Sequence, residues 1–146
     1  IDYNLVGKLC TYCGFFSEQR LRYLIQMNPV PLSVPCDSEE GTMLPIHWST
    51  EQEDSQIFRF LLKAGLHYYP ETFGFVFGDG RHRHSNGTLY QGTPYQLACK
   101  EYGQEKVIHE VIHCITEYCA ASASASASTS SSSAIETSLL LSAVSD

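Results

Sequence analysis

The chain has 146 residues, the length of about one domain, so one compact core or a short array is the ceiling. Hydrophobic residues make up 43% and aromatics 12%, enough to bury a core, which excludes a wholly disordered chain. Sixteen acidic against nine basic residues leave a formal charge of -7, which opposes an electrostatic grip on nucleic acid or an anionic membrane.

No run of about twenty apolar residues occurs, and the start lacks the basic stretch and apolar run of a secretory leader. The expectation is a soluble, unexported protein, intracellular in the cytoplasm or nucleus. Ile1, with no initiator Met, suggests a fragment of something longer or a processed product. The cysteines Cys10, Cys13, Cys36, Cys99, Cys114 and Cys119 then read as small buried hydrophobes kept reduced, and the sequon Asn86-Gly87-Thr88 carries no glycan.

Taken in order, the chain first offers Cys10-Thr11-Tyr12-Cys13. Its two-residue gap suits a zinc knuckle or redox pair, but no second such pair follows, so inward-packing helix cysteines are expected. Next comes Leu21-Arg22-Tyr23-Leu24-Ile25-Gln26, which reappears 37 residues later as Phe58-Arg59-Phe60-Leu61-Leu62-Lys63. A third copy, Ile108-His109-Glu110-Val111-Ile112-His113, follows 50 positions after the second, with apolar residues at the same first, fourth and fifth places. That spacing predicts three amphipathic helices whose stripes are covered by neighbouring copies. The residues to be covered are Leu24, Ile25, Phe58, Leu61, Leu62, Ile108, Val111 and Ile112.

Each of the last two copies follows a helix start. Thr93 offers a capping oxygen, and Pro94 at the first helical position loses no usable donor. Leu44 before Pro45 has no capping oxygen. Breaks around Glu51 to Asp54 and at Gly103 separate a short helix from the longer one, giving two antiparallel helices per unit. Between the second and third units, residues 69–87 form an enlarged finger. Phe73, Phe75 and Phe77 alternate with Gly74 and Val76 as an extended segment does, ahead of the turn chemistry of Gly78-Asp79-Gly80. From Ala120 the composition turns to small Ala and Ser side chains, with too little apolar area to offset the ordering cost, so 120–146 is expected to be a disordered tail.

Gly92, Thr93, Pro94, Leu97, Ala98, Gly103, Val107, Ile108, Val111 and Ile112 make the third unit similar to the ankyrin-repeat family, with Tyr95 and Gln96 in place of its Leu and His and one residue inserted before Gly103. The second unit keeps Pro45, Ile46, His47 and Ser49, and Lys63-Ala64-Gly65 resembles the usual close of the second helix. The first keeps only its helices. The resemblance covers roughly residues 5 to 118, and the unit spacings exceed the family's usual ~33 residues. It implies an all-α domain over 1–119, a short solenoid of about three helix pairs, in which His47 ties turn backbone rather than serving as a ligand. It also implies a non-catalytic protein-protein interaction scaffold without cofactor, whose fingers and short helices form a concave binding face. The partner is another protein, neither nucleic acid nor membrane, and the oligomeric state stays open.

Candidate partner-binding residues sit on the fingers: Glu39, Glu40, Phe75, Arg81, His82, Arg83 and His84, the last four a basic cluster in an acidic chain. The alternative is a zinc-dependent hydrolase, because His109-Glu110-Val111-Ile112-His113 is an H-E-x-x-H string that places two imidazoles on one helical face beside a general base. Against it, a third protein ligand is missing downstream apart from Glu117, and the two histidines align with Arg59 and Lys63 on the polar side of the helix.

Overall fold

The computed structural model describes residues 4–11, 17–36, 43–83 and 89–143. It is mostly helical, with one small two-stranded sheet. The chain divides into two compact units, Ile1–Cys114 and Ile115–Asp146.

The first unit is built from consecutive helix pairs. In the first pair, α1 (Leu5–Thr11) precedes α2 (Glu18–Met27). Asn4 is buried ahead of α1, where its Oδ1 accepts the Gly7 N–H at 2.9 Å and its Nδ2 donates to the carbonyls of Pro31 and Val34 at 3.0 and 2.8 Å. One side chain thus satisfies an orphan donor of the helix and fastens the turn Val30–Ser33 against it. Ser17 caps α2, its Oγ accepting the Arg20 N–H at 3.4 Å. Cys10 is buried on α1, and burial pushes its thiol up to about 12; Cys13 lies outside the described residues.

The second pair is α3 (Pro45–Trp48), prolonged by a 3-10 turn at Ser49–Glu51, and α4 (Gln56–Tyr68). Leu44 offers no capping oxygen, and the start is closed from the other side: the fully buried His47 accepts the Leu44 N–H on Nδ1 at 3.1 Å. The third pair is α5 (Pro94–Tyr102) and α6 (Gln104–Ala143), separated by Gly103 at φ +91. Thr93 Oγ1 accepts the Gln96 N–H at 3.1 Å while Gln96 Oε1 accepts the Thr93 N–H at 3.0 Å, a reciprocal cap that joins Pro94 in fixing this start.

The pairs pack on one another in sequence order, α1 on α3, α3 on α5, and α2 on α4. The equivalent positions of the second helices divide their work consistently. First and fifth positions, Leu21 and Ile25 in α2 and Phe58 and Leu62 in α4, are all buried. Phe58 looks toward the next pair, its ring 6.4 Å from that of Tyr102. Third positions look back: the Phe60 ring lies 5.6 Å beneath the Arg22 guanidinium, and Glu110 Oε1 accepts the Ser55 hydroxyl at 2.9 Å. Tyr102 adds a further tie, its hydroxyl proton shared between the carbonyls of Ser49 and Gln52 at 2.9 and 2.8 Å. Burial, with the nearby Glu101, Asp54 and Glu110 carboxylates, raises the Tyr102 phenol.

Two sequence expectations are corrected. Ile108 and Ile112, counted among the covered residues, are 37% and 58% exposed. Residues 73–77 are not extended. Pro70–Phe75 forms 3-10 turns, and Phe73, Gly74 and Phe75 have φ of 51, 62 and 65. The cause is a backbone-to-backbone approach: Gly74 lies flat on α4, where a Cβ at Gly65 would come within 2.8 Å of Gly74 Cα. Beyond the third copy α6 continues to Ala143. Alanine carries the least helix-forming cost, which offsets the weaker propensity of the serines, whose hydroxyls bond back to carbonyls one turn earlier, as from Ser122 to Tyr118 at 2.9 Å and from Ser124 to Ala120 at 3.0 Å.

Candidate functional site

The insertion between the second and third pairs folds onto them and projects a surface. Its base is held by His47, whose Nε2 lies 3.1 Å from the Gly78 carbonyl. Since Nδ1 accepts from Leu44, Nε2 carries the proton and donates to Gly78. Gly80 packs against the edge of the same ring, which leaves no room there for a Cβ. Burial lowers His47 to about 4, outweighing the carbonyls of Gly78 and Gly92 and the Asp79 charge, which favour the proton. A proton on Nδ1 would also oppose the Leu44 N–H. The backbone tie expected of His47 is therefore present, and it reaches two segments instead of one turn.

From this base β1 (Gly80–Arg83) and β2 (Leu89–Gly92) pair antiparallel, with Gly80 opposite Gly92 and Arg83 opposite Leu89. Tyr95 N–H donates to the Val76 carbonyl at 3.0 Å, and Val76 is fully buried, so the loop before the hairpin is anchored on both sides. The left-handed run then decides which aromatic rings face outward. Phe73 and Phe77 are each 53% exposed, their rings 6.2 Å apart, and Phe77 lies 5.7 Å from Tyr95. Phe75 is half-buried, its ring 5.1 Å from Tyr69.

Of the sequence candidates, Phe75 is half-buried against Tyr69, and Arg81 is exposed on β1. His82 and Arg83 are placed on β1 by their backbone, with Arg83 at the end away from the Gly80 base. Glu39, Glu40 and His84 lie outside the described residues, as does the sequon at 86–88. Phe73, Phe77 and Tyr95 were missed as a group. The exposure of Phe73 and Phe77 beside the half-buried Tyr95 depends on positive φ angles at residues 73–75 that an alternating pattern conceals.

The H-E-x-x-H residues divide between two sides of α6. His109 and His113 are exposed, with their rings stacked 6.4 Å apart, while Glu110 is turned to Ser55 in the preceding pair. Among the described residues no three His, Cys, Asp or Glu side chains converge as a metal site. Among the described residues no helix is long and apolar enough to cross a membrane. No protein-family model, curated protein or solved structure matches the chain.

Proposed function

We propose that this chain is a non-catalytic protein-binding scaffold, a short array of about three ankyrin-like helix pairs in which the finger that begins at Tyr69, together with Tyr95 of α5, carries the partner-contacting surface. The observation that carries the reading is the row of Phe73, Phe77 and Tyr95, in which the Phe77 ring lies 6.2 Å from Phe73 and 5.7 Å from Tyr95, with Phe73 and Phe77 each 53% exposed, beside a hairpin bearing Arg81. Exposed, pre-ordered aromatic side chains bury large apolar area on binding at low entropic cost, and Arg adds planar donors to acidic groups. The repeated division of labour among equivalent helix positions supports the array. The partner is a protein with an apolar pocket flanked by acidic side chains.

The test is capture of the partner on the parent chain, followed by calorimetry with the purified pair. The double variant Phe73→Ser/Phe77→Ser is expected to weaken binding by roughly 10-fold or more, as for loss of hot-spot aromatics, with the helical circular dichroism unchanged. Undiminished affinity in that variant would remove the insertion from the binding surface.

A further inference from the structure

The internal joints of the first compact unit specify what covers each face of a pair. At the internal joints the first- and fifth-position residues Leu21, Ile25, Phe58 and Leu62 are buried, with Ile25 beside Phe60 of α4 and Phe58 against Tyr102 of α5, whereas the third-position residues Phe60 and Glu110 contact Arg22 and Ser55 behind them. Two such faces are left exposed. On the third pair Ile108 and Ile112, at first and fifth positions, are 37% and 58% exposed. On the first pair Tyr23, at the third position, is 62% exposed and borders a shallow, almost wholly apolar groove with Leu5, Leu9 and Leu24. These are the two halves of one joint of the kind already made twice within the chain. Their rims differ in sign: Arg20 borders the groove, and the exposed Glu105 stands one turn before Ile108.

We infer that a second copy of this chain docks head to tail, the Ile108/Ile112 face of one molecule seated in the Tyr23 groove of the next. This inference rests on the array reading above. Because the two surfaces differ, the contact is heterologous and leaves one face of each kind at the ends, so association continues beyond a dimer instead of closing. The joint is small, which places it among weak, concentration-dependent contacts.

Sedimentation velocity of the full chain from about 10 µM to about 1 mM, the regime of weak contacts, is expected to show average mass rising above that of the monomer without a plateau at two copies. Ile112→Glu and Tyr23→Glu each abolish this rise. A 1:1 mixture of the two variants recovers association and stops at a dimer, because one sound joint remains. Both substitutions fall on exposed side chains, so thermal midpoints stay within about 2 °C of the parent. A parent that remains monomeric throughout overturns the inference. So does association that survives Tyr23→Glu, or a mixture that stays monomeric, since either means that the two faces do not meet. Association that behaves as described while Phe73→Ser/Phe77→Ser leaves partner binding intact would uphold this joint and count only against the proposed binding surface.

Discussion

Acid should loosen the fold through His47. The ring is fully buried, accepts the Leu44 N–H on Nδ1 and donates to the Gly78 carbonyl from Nε2, and its folded-state value is about 4 against an ordinary 6.5. Above pH 6.5 both folded and unfolded chains carry a neutral imidazole. As pH falls below 6.5 the unfolded chain takes up a proton that the folded one refuses until near 4, so stability is lost across that window. A gap of that size at 1.36 kcal/mol per unit corresponds to about 3 kcal/mol lost by pH 4, and about 2 kcal/mol by pH 5. The assay is urea unfolding of the parent and of His47→Gln at a series of pH values from 7.5 to 4. The variant lacks the titrating ring, while Asp, Glu and the exposed histidines contribute equally to both chains. The parent's advantage should therefore be largest near neutrality and shrink by about 2 kcal/mol at pH 5. A parent-minus-variant difference that stays flat across this range would refute the assignment of a buried neutral imidazole.

Tyr102→Phe removes the donor shared by Ser49 and Gln52 and should cost about 1–2 kcal/mol in urea unfolding, leaving helix content unchanged. Gly74→Ala forces a side chain into φ +62 with its Cβ 2.8 Å from the Leu66 nitrogen, so a loss of about 2 kcal/mol or more is expected in the same measurement. Glu110→Gln keeps an acceptor for the Ser55 hydroxyl and should change stability by less than about 0.5 kcal/mol, whereas Ser55→Ala should cost about 1 kcal/mol. In native-state hydrogen exchange, amides of 120–128 should exchange at least about 100-fold faster than those of Leu61 and Leu62, because exposed Ala and Ser side chains add little burial to a helix that is marginal on propensity alone. Equal protection in the two segments would show that the Ser/Ala stretch has acquired stabilising contacts.

The helices were legible because their signals are local or periodic. The apolar first, fourth and fifth places of Leu21–Gln26, Phe58–Lys63 and Ile108–His113 all fall in helices, and Thr93-Pro94 opens α5 where its chemistry requires. The start at Leu44 succeeds despite a side chain that cannot cap, since His47 supplies the missing acceptor from within the helix. What stayed hidden depends on distant contacts. Phe-Gly-Phe-Val-Phe reads as alternation, yet Gly65 on α4 draws Gly74 onto its backbone and turns the segment left-handed. That reversal exposes Phe73 and Phe77 and withdraws Phe75. Likewise, periodicity marks Ile108 and Ile112 as apolar-stripe residues, but only the stacking direction tells which end of the row they occupy.

One imidazole closes the opening turn of α3 and clasps the loop from which the hairpin rises. Pulling on the hairpin therefore tugs the beginning of a helix some thirty residues earlier in the chain, and neither segment can breathe without releasing the other. A ligand gripping the projecting rings would stiffen the second pair from a distance, so slower opening of the Leu44 amide would register an event taking place on the finger.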